Sequence, residues 1–168
     1  MPKRKISFVI ALIAILILVI LASTLFNEKS TADKNILYRN DRYGFIFALP
    51  ETWRSFSIVP GKWQGYVPGS QGNISVETGP IVSIRHPKWT TQHQRQDIPI
   101  MIFTIAQWNS LQKDEFHIGA APIGPKELGR NNKYVFALPA RYNFAFPEGF
   151  EEVEKILENN PLQAHSVK

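Results

Sequence analysis

The chain has 168 residues, with 19 Lys and Arg against 14 Asp and Glu, and contains no cysteine. The missing thiols exclude a cysteine nucleophile, a zinc ribbon, a structural disulfide and a lipobox-type lipid anchor. Three of the bases (Lys3, Arg4 and Lys5) precede the first apolar run, so the chain after Phe26 carries sixteen bases and fourteen acids. These are scattered and nearly balanced, without the basic footprint that nucleic-acid binding requires.

From Ile6 to Phe26 there is no charge, Pro or Gly. As a helix this run would reach ~31 Å, enough to cross a hydrocarbon core of ~30 Å. The preceding bases favour a cytoplasmic amino end. The reading is a signal-anchor over residues 1–26: a single-pass protein of the cell membrane with its carboxy-terminal domain outside. The alternative is a cleaved signal peptide, for which Leu21-Ala22-Ser23-Thr24 supplies small residues, and which would leave the domain secreted. Residues 27–35, NEKSTADKN, read as a polar tether. An extracytoplasmic domain follows over 36–162, long enough to bury a core of its own, with a frayed tail over 163–168.

Within the domain, Ile36-Leu37-Tyr38 suits a short edge strand, and YGFIFAL at Tyr43–Leu49 a strand that Pro50 stops. Pro50-Glu51-Thr52-Trp53 reads as a turn that buries Trp53, and Ser55–Val59 as another strand. Lys62–Gly79 is Gly-rich and reads as the least regular stretch. PIVSIR at Pro80–Arg85 alternates as a strand does. His86–Asp97 is polar and reads as a surface loop. IPIMIFTI at Ile98–Ile105 is apolar throughout, which suits a central strand buried on both faces. Ala106–Glu115 reads as a short helix. Lys126–Leu128 and Lys133–Leu138 flank a hairpin loop, Gly129-Arg130-Asn131-Asn132. Ala140–Phe146 reads as an extension of the sheet. Glu148–Glu158 is the clearest helix of the domain, with Phe150, Val153, Ile156 and Leu157 on one stripe. The fold class that follows is α+β: an N-terminal transmembrane helix, then one domain whose mostly antiparallel sheet is packed by helices.

The segment Tyr43-Gly44-Phe45-Ile46-Phe47-Ala48-Leu49-Pro50-Glu51-Thr52-Trp53 resembles the opening strand of PsbP- and Mog1-like domains, in which a Tyr-Gly-Phe strand runs into Pro and then Trp. The resemblance implies an α/β/α sandwich around an antiparallel sheet. It also implies a binding or assembly factor in place of an enzyme. The matched residues serve the core in that family, so no functional residue carries over.

No residue set points to catalysis, a cofactor or a metal. His86 and His93 lie in a polar loop with Asp97 beyond them, but no H-E-x-x-H or comparable ligand spacing is present. Gly69-Ser70-Gln71-Gly72 lacks the G-x-S-x-G of a nucleophile elbow. Trp63, Tyr66 and Trp89 fall in stretches read as loops, near Lys62, Arg85, Lys88 and Arg95. Aromatic side chains beside bases are candidate contacts for a partner, and the competing reading is that they seal the core. The function expected is a membrane-anchored, extracytoplasmic binding or assembly module without catalytic activity. Its partners would be the membrane, through Ile6–Phe26, and an envelope protein or glycan, with no nucleic acid. The alternatives are a cell-envelope enzyme using His86 or His93 with Asp97 or a second acid, in a site assembled from residues far apart in sequence, and a small-ligand sensor with an apolar pocket.

Overall fold

The computed structural model describes residues 35–67, 75–119 and 123–168. They belong to one compact unit, Asn35–Lys168. Two antiparallel sheets make up most of it. The smaller has the order β1-β2-β9, from Ile36–Asn40 (β1), Phe45–Leu49 (β2) and Leu162–Ala164 (β9). The larger has the order β6-β3-β4-β5-β8-β7. Its strands are Ser57–Tyr66 (β3), Ser75–Arg85 (β4), Ile98–Thr104 (β5), His117–Ile118 (β6), Lys126–Arg130 (β7) and Tyr134–Leu138 (β8). Two α-helices are present among the described residues, Ile105–Gln112 (α1) and Phe150–Glu158 (α2).

Strand β5 explains the layering. Side chains alternate across a strand, so a strand apolar at every position must have both faces covered. Ile98, Ile100 and Ile102 face a core shared with Phe45, Phe47 and Leu49 of β2, Trp53, and Val153 and Ile156 of α2. Met101 and Phe103 face the other side, where Trp63, Trp108, Leu111 and Phe116 enclose them. Strand β8 divides in the same way, with Phe136 in the first core and Val135 and Ala137 in the second. The small sheet and α2 thus cover one face of the large sheet, and α1 covers the other. Helix α1 starts at a capping box, in which the Thr104 side chain accepts from the Gln107 backbone and Gln107 returns the bond.

The small sheet is closed by the end of the chain. Read as a frayed tail, this end instead pairs as β9 along β2, and the His165 N–H donates to the Gly44 carbonyl. Asn131, in the β7–β8 turn, locks this corner. Its Nδ2 donates to the carbonyls of Tyr43, Gly44 and His165, and its Oδ1 accepts from the N–H groups of Lys133 and Tyr134. Gly44 (φ +78) has no room for a Cβ there, because one would lie 2.5 Å from the His165 carbonyl oxygen.

Two further expectations are corrected. The fold class of a transmembrane helix followed by a helix-packed α+β domain does not stand. No helix among the described residues is long and apolar enough to cross a membrane. The longer of the two α-helices has nine residues, roughly 14 Å at about 1.5 Å per residue, half of what a span needs. The expected span, Ile6–Phe26, lies outside the described residues. The signal-anchor, the single-pass topology and the location in a cell membrane therefore have no spanning helix here to rest on. The described fold is predominantly antiparallel sheet, with a second sheet doing much of the covering that was assigned to helices. The other correction concerns Ala140–Phe146, which does not extend the sheet but forms a turn-rich loop.

Candidate functional site

The residues singled out in the sequence do not form one surface. Trp63 is only 3% exposed. It stacks on Phe103 in the second core, and its Nε1–H donates to the Ile102 carbonyl at 2.9 Å. Gly79 stands opposite it in the register, and the indole fills the space a Cβ would take. Lys62–Tyr66 is therefore strand and not loop, and for Trp63 the core-sealing reading is the one the structure shows. Tyr66 is half-buried at the β6 end of β3, and its hydroxyl donates to Gln64 Oε1 at 2.8 Å. Trp89 follows the opposite end of β4, which is eleven residues long, roughly 33 Å from the Tyr66 end. No single partner patch holds all three.

The histidines and Asp97 do not converge either. Arg85, the last residue of β4, places its guanidinium on Asp97 (Nη2 to Oδ2, 2.7 Å) and over the Trp89 ring, 3.9 Å from the centroid. Asp97 is thereby committed to closing the 86–97 loop. His93 is exposed in a turn. His86 is 4% exposed, edge-on to Trp53, and its Nδ1 accepts the Lys88 N–H at 3.0 Å. Burial lowers its pKa below the usual histidine value, and the nearby Arg95 charge lowers it further. A neutral imidazole used as a backbone acceptor is a structural group. Among the described residues no cluster of three or more His, Asp or Glu could hold a metal.

What His86 helps to build is a polar layer beneath a second loop. Arg95 pairs with Glu148 and reaches Glu152 at 3.6 Å. Glu152 also accepts from Trp53 Nε1 and Thr52 Oγ1. Gln96 is buried; its N–H donates to the Glu148 carbonyl and its Nε2 to the carbonyls of Asp97 and Tyr142. These bonds fix the segment Pro139–Pro147 from below. Tyr142 packs against the first core, and Asn143 Nδ2 donates to Glu154 Oε1 at 2.9 Å.

On that foundation the loop adopts an unusual backbone. Arg141 (φ 56), Ala145 (φ 71) and Phe146 (φ 47) are all left-handed, and none is glycine. Each such residue costs on the order of 1 kcal/mol. Consecutive turns, Phe144 N–H to the Arg141 carbonyl and Phe146 N–H to the Asn143 carbonyl, hold the geometry. The result is that Phe144 and Phe146 are 76% and 69% exposed. Phe146 leans on Phe150 at the start of α2, with ring centroids 5.1 Å apart. Exposed Glu151 lies in the first turn of that helix. Sequence reasoning missed this site because Tyr142, Phe144 and Phe146 repeat at the period of a strand. The one available signal was that Pro139 and Pro147 bracket the run.

No protein-family model, curated protein or solved structure matches this chain.

Proposed function

We propose that this protein is a binding or assembly module without catalytic activity, which holds a protein partner through Phe144 and Phe146. One observation carries the reading: a loop tied to the core by Gln96, Tyr142 and Asn143 uses three left-handed residues to keep two phenylalanines in solvent. Strain that exposes apolar surface lowers stability, and it persists where presentation of that surface is the function. Fixing the rings in advance also reduces the ordering entropy lost on binding. Burying the exposed part of each ring would contribute about 1–2 kcal/mol before association costs. Glu148 is taken up by Arg95, but exposed Glu151 follows Phe150, the ring on which Phe146 leans, so the partner surface that fits is an apolar pocket bordered by Lys or Arg.

The test is site-specific photo-crosslinking of the full chain with benzoylphenylalanine at position 144, followed by affinity measurement with the purified crosslinked protein. The expected result is a protein adduct on an apolar surface beside basic residues, with affinity reduced at least about tenfold by Phe144→Ser and by Phe146→Ser. Adducts confined to lipid, or an affinity indifferent to both substitutions, would overturn the reading.

A further inference from the structure

A concave surface lies where the small sheet stops covering the large one. On β3, Ile58, Pro60 and Lys62 share a face, and the register sets them opposite Ile84, Val82 and Pro80 of β4. Val82 and Ile84 are buried under the small sheet. Beyond them the same face emerges: Ile58 is 37% exposed, and Pro60 and Lys62 are open to solvent. The β1–β2 turn rises beside this floor and completes a groove of about 690 Å³, within the range of ligand sites.

The charge of the groove is one-sided. Arg39 and Arg42 stand on the wall and Lys62 on the floor, against a single acid, Asp41. Asp41 is 3.6 Å from Arg39, Arg42 lies over the Tyr43 ring, and Lys62 has no ion pair among the described residues. The cations come from two separate elements along an open trough, which suits several spaced anions better than one compact headgroup. Beside the trough, the edge of β3 away from β4 has no strand partner along Ser57–Gln64 among the described residues, because β6 pairs only with Gly65 and Tyr66. Pro60 on that edge has no N–H to give to an added strand, so an occupant must be held by its side chains.

We propose that this groove binds an extended acidic peptide segment, its aliphatic or aromatic residues on Ile58, Pro60 and Pro80 and its carboxylates on Arg39, Arg42 and Lys62. The site is independent of the Phe144 loop and uses none of its residues.

The probe is a fluorescein-labelled synthetic peptide, EFEVEFE, blocked at its carboxyl end and titrated against the full chain by anisotropy. A KFKVKFK peptide and dodecyl phosphate serve as competitors. The expected result is binding that weakens as ionic strength rises. It should also weaken at least about fivefold in Lys62→Glu and in Arg42→Glu, and remain unchanged in Lys113→Glu, a surface lysine after α1. KFKVKFK should not compete. No binding at ~1 mM peptide, equal binding by Lys62→Glu and wild type, or displacement only by dodecyl phosphate would each overturn the proposal. Phe144→Ser should leave the peptide affinity unchanged, which separates failure here from failure of the loop reading.

Discussion

Asn131 shows how much one side chain can organise. It joins the β1–β2 turn, the chain end and the β7–β8 turn through five hydrogen bonds. Alanine there would strip this bond from the Tyr43 and His165 carbonyls and from two N–H groups, leaving the Gly44 carbonyl only its bond from the His165 N–H, so a loss of about 2–3 kcal/mol in urea unfolding is expected. Aspartate should be worse, because it would set a carboxylate oxygen against the carbonyls that now accept from Nδ2. His86 makes a different prediction. Its folded-state pKa is depressed, by burial first and by Arg95 second. The unfolded chain therefore binds the proton more readily, and the contribution of His86 is complete above about pH 6.5. It is lost as pH falls through the lower, folded-state value. Urea midpoints should drop as pH is lowered below about 6.5, and His86→Gln should flatten the histidine part of that drop.

At the level of the element, the Pro139–Pro147 loop sets stability against presentation. Ala145→Gly removes the Cβ penalty at φ 71. It should leave the fold equally stable or raise its stability by about 0.5–1 kcal/mol, after allowance for the added freedom of the unfolded chain. The same change loosens the two phenylalanines, so partner affinity should fall a few-fold. A paired measurement of urea midpoint and binding checks both signs. Affinity that rose together with stability would mean that the left-handed backbone is incidental to binding.

Across the whole molecule, the six-stranded sheet separates two cores, and the first of them depends on the chain end. Leu162 is buried there, and β9 covers the free edge of β2. Deleting residues 159–168 would remove that strand together with His165 and Val167, the chain-end partners of Asn131 and Asn132. The Leu162 side chain alone is worth ~2–5 kcal/mol, against a typical total of ~5–15 kcal/mol. The truncated chain should therefore lose its cooperative urea transition and its near-UV circular dichroism. Retention of both would show that β9 is dispensable.

The strands with unambiguous patterns were legible from residues alone. The apolar run at Ile98–Phe103 requires a strand covered on both faces whatever lies around it, and Phe150, Val153 and Ile156 require an amphipathic helix. Asn131 and Asn132 likewise mark a turn by their own chemistry. These features follow from local periodicity, which a chain carries wherever it folds. Tertiary structure alone decided the others. Trp63 and Phe144 are both aromatic, yet one is buried against Phe103 and the other stands in water. That difference depends on which distant element arrives to cover each of them. Gln96 and Glu154, distant in sequence, anchor Tyr142 and Asn143, and the turns closed on that footing carry Ala145 and Phe146 in the left-handed region. The basic groove needs a turn after β1 and a floor from β3 and β4. Its charge is written in the sequence, but its shape exists only where the small sheet ends and leaves the large sheet bare.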